Sequence, residues 1–97
     1  MPGLKIIYDN EEIADLVKLA LAAERKRLEL GLTKTKQEIA KFEVRYQISS
    51  ETFLAQFAAE DLEGGDIEYV QWAGELQLRE RIVQRLEKLE DVEYVAH

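Results

Sequence analysis

Residues 28–46 read LELGLTKTKQEIAKFEVRY, and apolar side chains recur in this stretch at alternating steps of four and three residues. The stripe they form contains Leu28, Leu32, Ile39, Phe42 and Tyr46, with Thr35 at its one polar position. Such a period keeps the stripe on one face of an α-helix, in phase across Gly31. The pattern therefore favours a single helix. Gly costs about 1 kcal/mol against Ala in a helix interior, so two shorter helices meeting near residues 31–35 are the alternative.

The same stripe continues towards the N-terminus through Val17 and Leu21, which places the first helix at residues 10–47. Asp9 lies three residues before Glu12, the spacing of an N-cap carboxylate and an N3 glutamate. A helix of this length is about 55 Å long, and a small protein cannot bury its whole stripe with that helix alone. We expect the rest of the chain or a second copy to cover it. The core or dimer stripe is Val17, Leu21, Leu28, Leu32, Ile39, Phe42 and Tyr46.

Two further helices are predicted after the first. Ser49 or Ser50 can accept hydrogen bonds from the free amides of a short helix over residues 50–61. Gly64 and Gly65 end it, and Asp66 is placed to cap a third helix over residues 66–91. Residues 4–8 and 92–95 are rich in β-branched and aromatic side chains, which is typical of short extended segments. The sequence thus predicts one all-α domain over residues 1–97, with an arm at 1–9, a long–short–long helix bundle and a dimeric state.

Composition removes most kinds of active site. The chain has no Cys, and its only His is the terminal His97. Disulfides, thiolate chemistry and the strongest zinc ligands are therefore absent. The acidic, glycine-containing stretch 61–68 lacks the ligand spacing of a calcium loop. We expect no catalytic residue, metal or cofactor. No apolar run approaches the roughly 20 residues of a membrane helix, so we expect a cytoplasmic protein.

The net charge of −7 is unevenly distributed. Residues 18–45 hold eight basic and four acidic side chains, whereas residues 46–78 hold seven acids and no Lys or Arg. An acidic stretch repels nucleic acid and attracts a basic partner. A helix-turn-helix reading of residues 37–52 also fails, because the helix that would read DNA has no basic residue. A basic protein is thus the expected partner, and a solvated acidic face is the alternative.

Residues 42–53 read FEVRYQISSETF and are followed by Phe57, Asp61-Leu62, Gly65-Asp66, Tyr69 and WAGEL at 72–76. This arrangement resembles a family of small helical proteins, common in cyanobacteria and archaea, with the pattern F-E-x-K-Y-x-M-S-S-E-x-F…F…L-x-D-D-x-D-x-x-E-W. The resemblance spans residues 13–90. The chain departs from the pattern with Ile48 for Met, with Gly64 and Gly65 for an acidic pair, and with Gln71 where Glu would precede Trp72.

Members of that family resemble the antitoxin half of a toxin–antitoxin pair, encoded beside a small ribonuclease-like toxin. The resemblance implies no enzymatic activity. It implies a protein that sequesters a basic toxin by occupying the cleft where the toxin holds RNA. The residues it implies for this contact are aromatic side chains and the acids around them: Phe53, Phe57, Glu60, Asp61, Glu63, Asp66, Glu68, Tyr69 and Trp72.

Two other functions stay open from the residues. The first is a structural or dimerisation protein without a toxin partner, since core packing also explains the aromatic set. The second is a small enzyme, because the helix layout resembles the all-helical chorismate mutases. Those enzymes bind a dicarboxylate with several Arg and Lys, which the middle of this chain lacks. This enzyme class therefore ranks last.

Overall fold

The computed structural model describes residues 5–56 and 65–96. Within these residues the chain forms strand β1 (Lys5–Tyr8), helix α1 (Glu11–Tyr46), helix α2 (Ser50–Gln56), helix α3 (Gly65–Glu90) and strand β2 (Glu93–Ala96). The predicted all-α fold of a long, a short and a long helix, with an extended segment at each end, is confirmed. Helix α3 already begins at Gly65, so Asp66 lies in its first turn rather than before it.

Helix α1 continues through Gly31 without a break, and the alternative of two shorter helices is excluded. A Cβ on Gly31 would lie 3.5 Å from Cδ1 of Ile82, an ordinary van der Waals distance. An alanine side chain would therefore fit at position 31 without a clash with α3, so close packing does not require the glycine. The period of the apolar stripe and its burial outweigh the local helix cost of one glycine.

The N-cap of α1 is Asn10, and the expectation that Asp9 takes this role is wrong by one residue. The Oδ1 atom of Asn10 accepts hydrogen bonds from the amides of Glu12 at 2.8 Å and Ile13 at 3.3 Å. Because β1 extends to Tyr8, Asp9 forms a bend and the helix starts one residue later. At the other end, Gln47 adopts a left-handed conformation with φ 54° and ψ 41°, which terminates α1.

The two terminal strands pair with each other in parallel, from Lys5 opposite Glu93 to Tyr8 opposite Ala96. An isolated two-stranded sheet is only marginally stable in water. Contact with α1 supports this one, since Nζ of Lys18 lies 5.0 Å from the ring centroid of Tyr94, within cation–π range.

The core lies between α1 and α3, with α2 closing it at one end. Two members of the predicted stripe, Leu28 and Ile39, are buried, and Phe42 and Tyr46 stack on Trp72 of α3. Val17, Leu21 and Leu32 are half-buried. The stripe is therefore core within one chain, because α3 supplies the covering surface.

The molecule is elongated, with principal extents of 58 × 24 × 18 Å and a radius of gyration of 18.8 Å. A compact domain of about 100 residues has a radius of gyration of about 13 Å. A two-helix hairpin of this length covers only one face of each helix, so other apolar side chains stay exposed. Over the described residues, no helix is both long and apolar enough to cross a membrane.

Candidate functional site

Trp72 lies at the centre of the junction where the three helices meet. Its side chain has no exposed surface, and its ring stacks on Phe53 of α2 at a centroid distance of 4.0 Å with an interplanar angle of 3°. On α1, Phe42 stacks at 5.5 Å and Tyr46 at 5.9 Å from the same ring. Each such pair adds about 0.5–1.5 kcal/mol beyond the buried area. The aromatic residues thus fix α2 and the first half of α3 against α1.

A chain of hydrogen bonds joins polar groups of the three helices at this junction. The indole Nε1 of Trp72 donates to Oγ of Ser50 at 3.0 Å, and this hydroxyl donates to Oε2 of Glu43 at 2.8 Å. The backbone amide of Ser50 also donates to Oε2 of Glu43, at 3.0 Å. One carboxylate of α1 therefore caps the start of α2 and, through Ser50, orients the tryptophan of α3.

The neighbouring Ser49 has a separate role as the N-cap of α2. Its Oγ accepts a hydrogen bond from the amide of Thr52 at 3.1 Å and lies 3.0 Å from Oγ1 of Thr52. The two adjacent serines therefore have different roles: Ser49 caps α2, and Ser50 belongs to the buried hydrogen-bond network. The sequence pattern had left open which of them was the cap.

The structure corrects the partner-contact roles of the large aromatics. Phe53 and Trp72 have 0 % exposed surface, and Tyr69 is half-buried with its ring 5.1 Å from that of Phe53. Their surface is used inside the chain, because α2 and α3 fold onto α1. Neither Phe53 nor Trp72 can contact a partner in this conformation.

The acidic residues expected at the interface have different surroundings. Asp66 is exposed in the first turn of α3. An oxygen of Glu68 lies 2.8 Å from a guanidinium nitrogen of Arg45 on α1, and the Glu68 side chain is only 14 % exposed. This ion pair ties α3 to α1, so Glu68 has a structural role. Phe57, Glu60, Asp61 and Glu63 lie outside the described residues.

Helix α3 exposes an apolar row that the sequence reasoning did not single out. Ile67 is 70 % exposed, Val70 is 65 % exposed and Leu78 is 40 % exposed, while Gly74 between them is also at the surface. The spacing of 67, 70, 74 and 78 puts the row on one face of the helix. That spacing could have identified the row from the sequence, but the prediction of partner contacts relied on the large aromatic residues nearby.

Helix α2 adds a second apolar feature next to α3. Leu54 is 58 % exposed and lines a groove of about 560 Å³ between the two helices, with Ala73 and Leu76 on the opposite wall. The exposed carboxylate of Glu51 lies at the rim, and basic side chains enter only from Arg79 onwards. The groove is lined by Ser50, Glu51, Leu54, Ala73, Leu76, Gln77, Arg79, Glu80 and Arg81.

We name the exposed apolar side chains of these two helices, together with two exposed acids of the same helices, the α2–α3 surface. It comprises Glu51, Leu54, Asp66, Ile67, Val70 and Leu78. Exposed apolar side chains grouped with charged ones are typical of protein interaction sites. In the described part of the chain, no three His, Cys, Asp or Glu side chains come together where they could hold a metal ion.

Comparisons of the chain with family models, with curated proteins and with solved structures find no match.

Proposed function

We propose that this protein is an antitoxin-like binding module that neutralises a small, basic, ribonuclease-like toxin through the α2–α3 surface. The observation that carries the proposal is the exposure of Ile67, Val70 and Leu54 in a stretch that has acids and no basic residue. Apolar side chains exposed to this extent in a small protein favour contact with another macromolecule. The charge of the stretch favours a basic one.

The two parts of the surface have different physical roles in this proposal. The carboxylates raise the association rate with a basic partner and oppose the binding of nucleic acid. The apolar side chains supply most of the affinity, because a few buried apolar anchors dominate the energetics of most interfaces. A toxin cleft that holds RNA phosphates would accept carboxylates of the acidic stretch 46–78 in their place.

The buried junction of the three helices around Trp72 holds the α2–α3 surface in place. Stacking around Trp72 and the Glu43–Ser50–Trp72 hydrogen bonds hold α2 and the start of α3 in fixed positions. A surface that is ordered before binding loses less conformational entropy when the partner docks. The motif FEVRYQISSETF and Trp72 therefore act on binding through rigidity, rather than through direct contact.

The first test is purification of the tagged protein from its native host at low and high salt, with mass spectrometry of the proteins that co-elute. A stoichiometric small basic protein, encoded beside this chain and released at high salt, is the expected result. If the protein elutes only with itself as a salt-insensitive oligomer, the antitoxin proposal is wrong.

The second test uses variants against that partner. Ile67→Lys with Val70→Lys is expected to weaken binding at least tenfold. Val44→Lys is the matched control, because Val44 is 76 % exposed on α1 and lies outside the α2–α3 surface. Equal affinity of both variants would contradict the proposed surface.

A third variant tests the electrostatic part. Neutralising Glu60, Asp61, Glu63 and Asp66 to their amides is expected to lower the affinity and to flatten its salt dependence. Glu68 is left unchanged in this variant, because its ion pair with Arg45 stabilises the fold. Unchanged affinity and unchanged salt dependence would exclude the acidic stretch as the contact.

A structural or dimerisation role without a toxin is the second candidate function. It is favoured by a separate observation, the exposed leucines on the outer face of α1. The two functions differ in the purification experiment, since only the antitoxin retains a second, basic protein.

A further inference from the structure

Helix α1 has a second apolar stripe, on the side that faces away from the core. Leu16 is 61 % exposed, Leu19 is 68 % exposed and Leu30 is 60 % exposed, and Ala23 between them is also at the surface. Leu30 follows the buried Leu28 by two residues, which places their side chains about 200° apart around the helix. We call Leu16, Leu19, Ala23 and Leu30 the outer stripe. Nothing in the described part of the chain covers it.

Three of the four residues of the outer stripe are arranged symmetrically about Ala23. Leu16 precedes Ala23 by seven residues and Leu30 follows it by seven, and both lie on the same helix face. One pair of opposite charges has the same symmetry, since Glu12 lies eleven residues before Ala23 and Lys34 lies eleven residues after it. A stripe with these properties is complementary to its own copy when the copy runs in the opposite direction.

We propose that the outer stripe is a dimer interface, in which a second copy of the chain packs antiparallel to α1 about a twofold axis at Ala23. Leu16 then faces the partner's Leu30, and Glu12 faces the partner's Lys34. The small side chain of Ala23 lets the two helices approach closely at the axis. An interface of this kind is isologous, so each contact occurs twice.

The charges of α1 favour the antiparallel over the parallel arrangement. A parallel pair would place Lys26 and Lys34 opposite the same residues of the partner, and like charges repel. In the antiparallel pair Leu19 faces the partner's Arg27. Nε of Arg27 donates to Oε2 of Glu24 in its own chain at 2.9 Å, and this hydrogen bond lowers the pKa of Glu24 and raises that of Arg27. The guanidinium is thus held by its own helix while its methylene groups cover Leu19.

The proposed dimer leaves the α2–α3 surface of each copy free. Gly31 of α1 lies beside Ile82, and Arg45 lies beside Glu68, so α1 and α3 run antiparallel. Residues 12–34 of α1 therefore lie alongside the second half of α3, away from Ile67 and Val70. The inference is independent of the antitoxin proposal, and either can fail without the other.

The mass in solution gives the first test. Sedimentation equilibrium of the wild-type chain is expected to show twice the 11.2 kDa of one chain at micromolar concentration. Leu16→Glu with Leu30→Glu is expected to raise the dissociation constant of the dimer at least tenfold. Val44→Glu, at a 76 % exposed apolar site of the same helix, is the control and should leave it unchanged. A monomer at all concentrations, or an equal effect of the control, would refute the interface.

Cysteine cross-linking tests the register, because the chain has no cysteine of its own. Ala23→Cys is expected to form a disulfide-linked dimer under mild oxidation. The Leu16→Cys variant alone and the Leu30→Cys variant alone should form no disulfide-linked dimer. A mixture of the two variants should form one. In the antiparallel dimer two copies of residue 16 lie about 21 Å apart, whereas a disulfide requires Cα atoms within about 7 Å. Self-cross-linking at all three positions would show a parallel dimer and overturn the proposal.

Charge exchange gives a test that does not alter the apolar residues. Glu12→Lys is expected to weaken the dimer, and Glu12→Lys combined with Lys34→Glu is expected to restore it, since the pair then has reversed signs. Absence of restoration, with both variants folded by circular dichroism, would contradict the pairing of Glu12 with the partner's Lys34.

Discussion

Ser50 joins three helices through one hydroxyl group. It accepts from Nε1 of Trp72 and donates to Glu43, and its own amide also donates to that carboxylate. Because the tryptophan is fully buried, water could not take the place of Ser50 as the acceptor for its N–H group. A single small side chain therefore determines whether the aromatic core can form without an unsatisfied donor.

Ser50→Ala is expected to lower the free energy of unfolding by about 1–3 kcal/mol, because it leaves buried polar groups of Trp72 and Glu43 without a partner. Ser49→Ala, which removes only the cap of α2, is expected to cost about 1 kcal/mol. Urea unfolding followed by tryptophan fluorescence measures both, since Trp72 is the only tryptophan. A smaller loss for Ser50→Ala than for Ser49→Ala would contradict the network.

Gln47 holds a backbone conformation that suits glycine better. Its φ of 54° lies in the left-handed region, where a side chain costs about 1–2 kcal/mol. Gln47→Gly is expected to raise the free energy of unfolding by up to about 1 kcal/mol, since glycine removes the strain but adds entropy to the unfolded chain. Gln37→Gly, in the interior of α1, is the control and should lower it by about 1 kcal/mol. Thermal and urea unfolding should show effects of opposite sign.

At the scale of the element, α1 was the part of the fold that the sequence predicted best. Its stripe has one dominant period over residues 28–46, and the energetic gain from burying that stripe exceeds the local cost of Gly31. Elements without such a period were harder to place. The pairing of β1 with β2 depends on α1 and α3 bringing the two ends of the chain together, which no local pattern encodes.

The candidate site was predicted less well than the fold, for a physical reason. An exposed hot spot and a core residue have the same composition, so Phe53 and Trp72 could not be assigned from sequence. Their burial depends on how α2 and α3 pack against α1. The exposed row of Ile67, Val70 and Leu78 has helical spacing, but only the position of α1 decides which face of α3 stays outside.

Gly31→Ala tests how α1 packs on α3. The added methyl group would meet Cδ1 of Ile82 at 3.5 Å, a normal contact, and would remove the helix cost of glycine. The free energy of unfolding is expected to rise by about 1 kcal/mol. Gly74→Ala, where a Cβ has open space around it, should act in the same direction. A loss of stability for Gly31→Ala with a gain for Gly74→Ala would show that α1 and α3 lie closer together at position 31 than the 3.5 Å contact with Ile82 implies.

At the scale of the whole molecule, elongation is the property that a solution measurement can check directly. Small-angle X-ray scattering of the Leu16→Glu, Leu30→Glu variant is expected to give a radius of gyration near 18.8 Å and a longest dimension near 58 Å for the monomer. A value close to the roughly 13 Å of a compact domain would show that the helical hairpin folds back on itself in solution. The wild-type chain, if dimeric, should give larger values at the same concentration.

The pairing of β1 with β2 also has a consequence for how the protein is made. Lys5–Tyr8 is synthesised before α1, and its partner Glu93–Ala96 is synthesised after α3. The helices can begin to pack during translation, but the sheet cannot close until residues 93–96 have left the ribosome. A chain whose translation stops before residue 93 would therefore leave β1, the strand made earlier, with nothing to pair with.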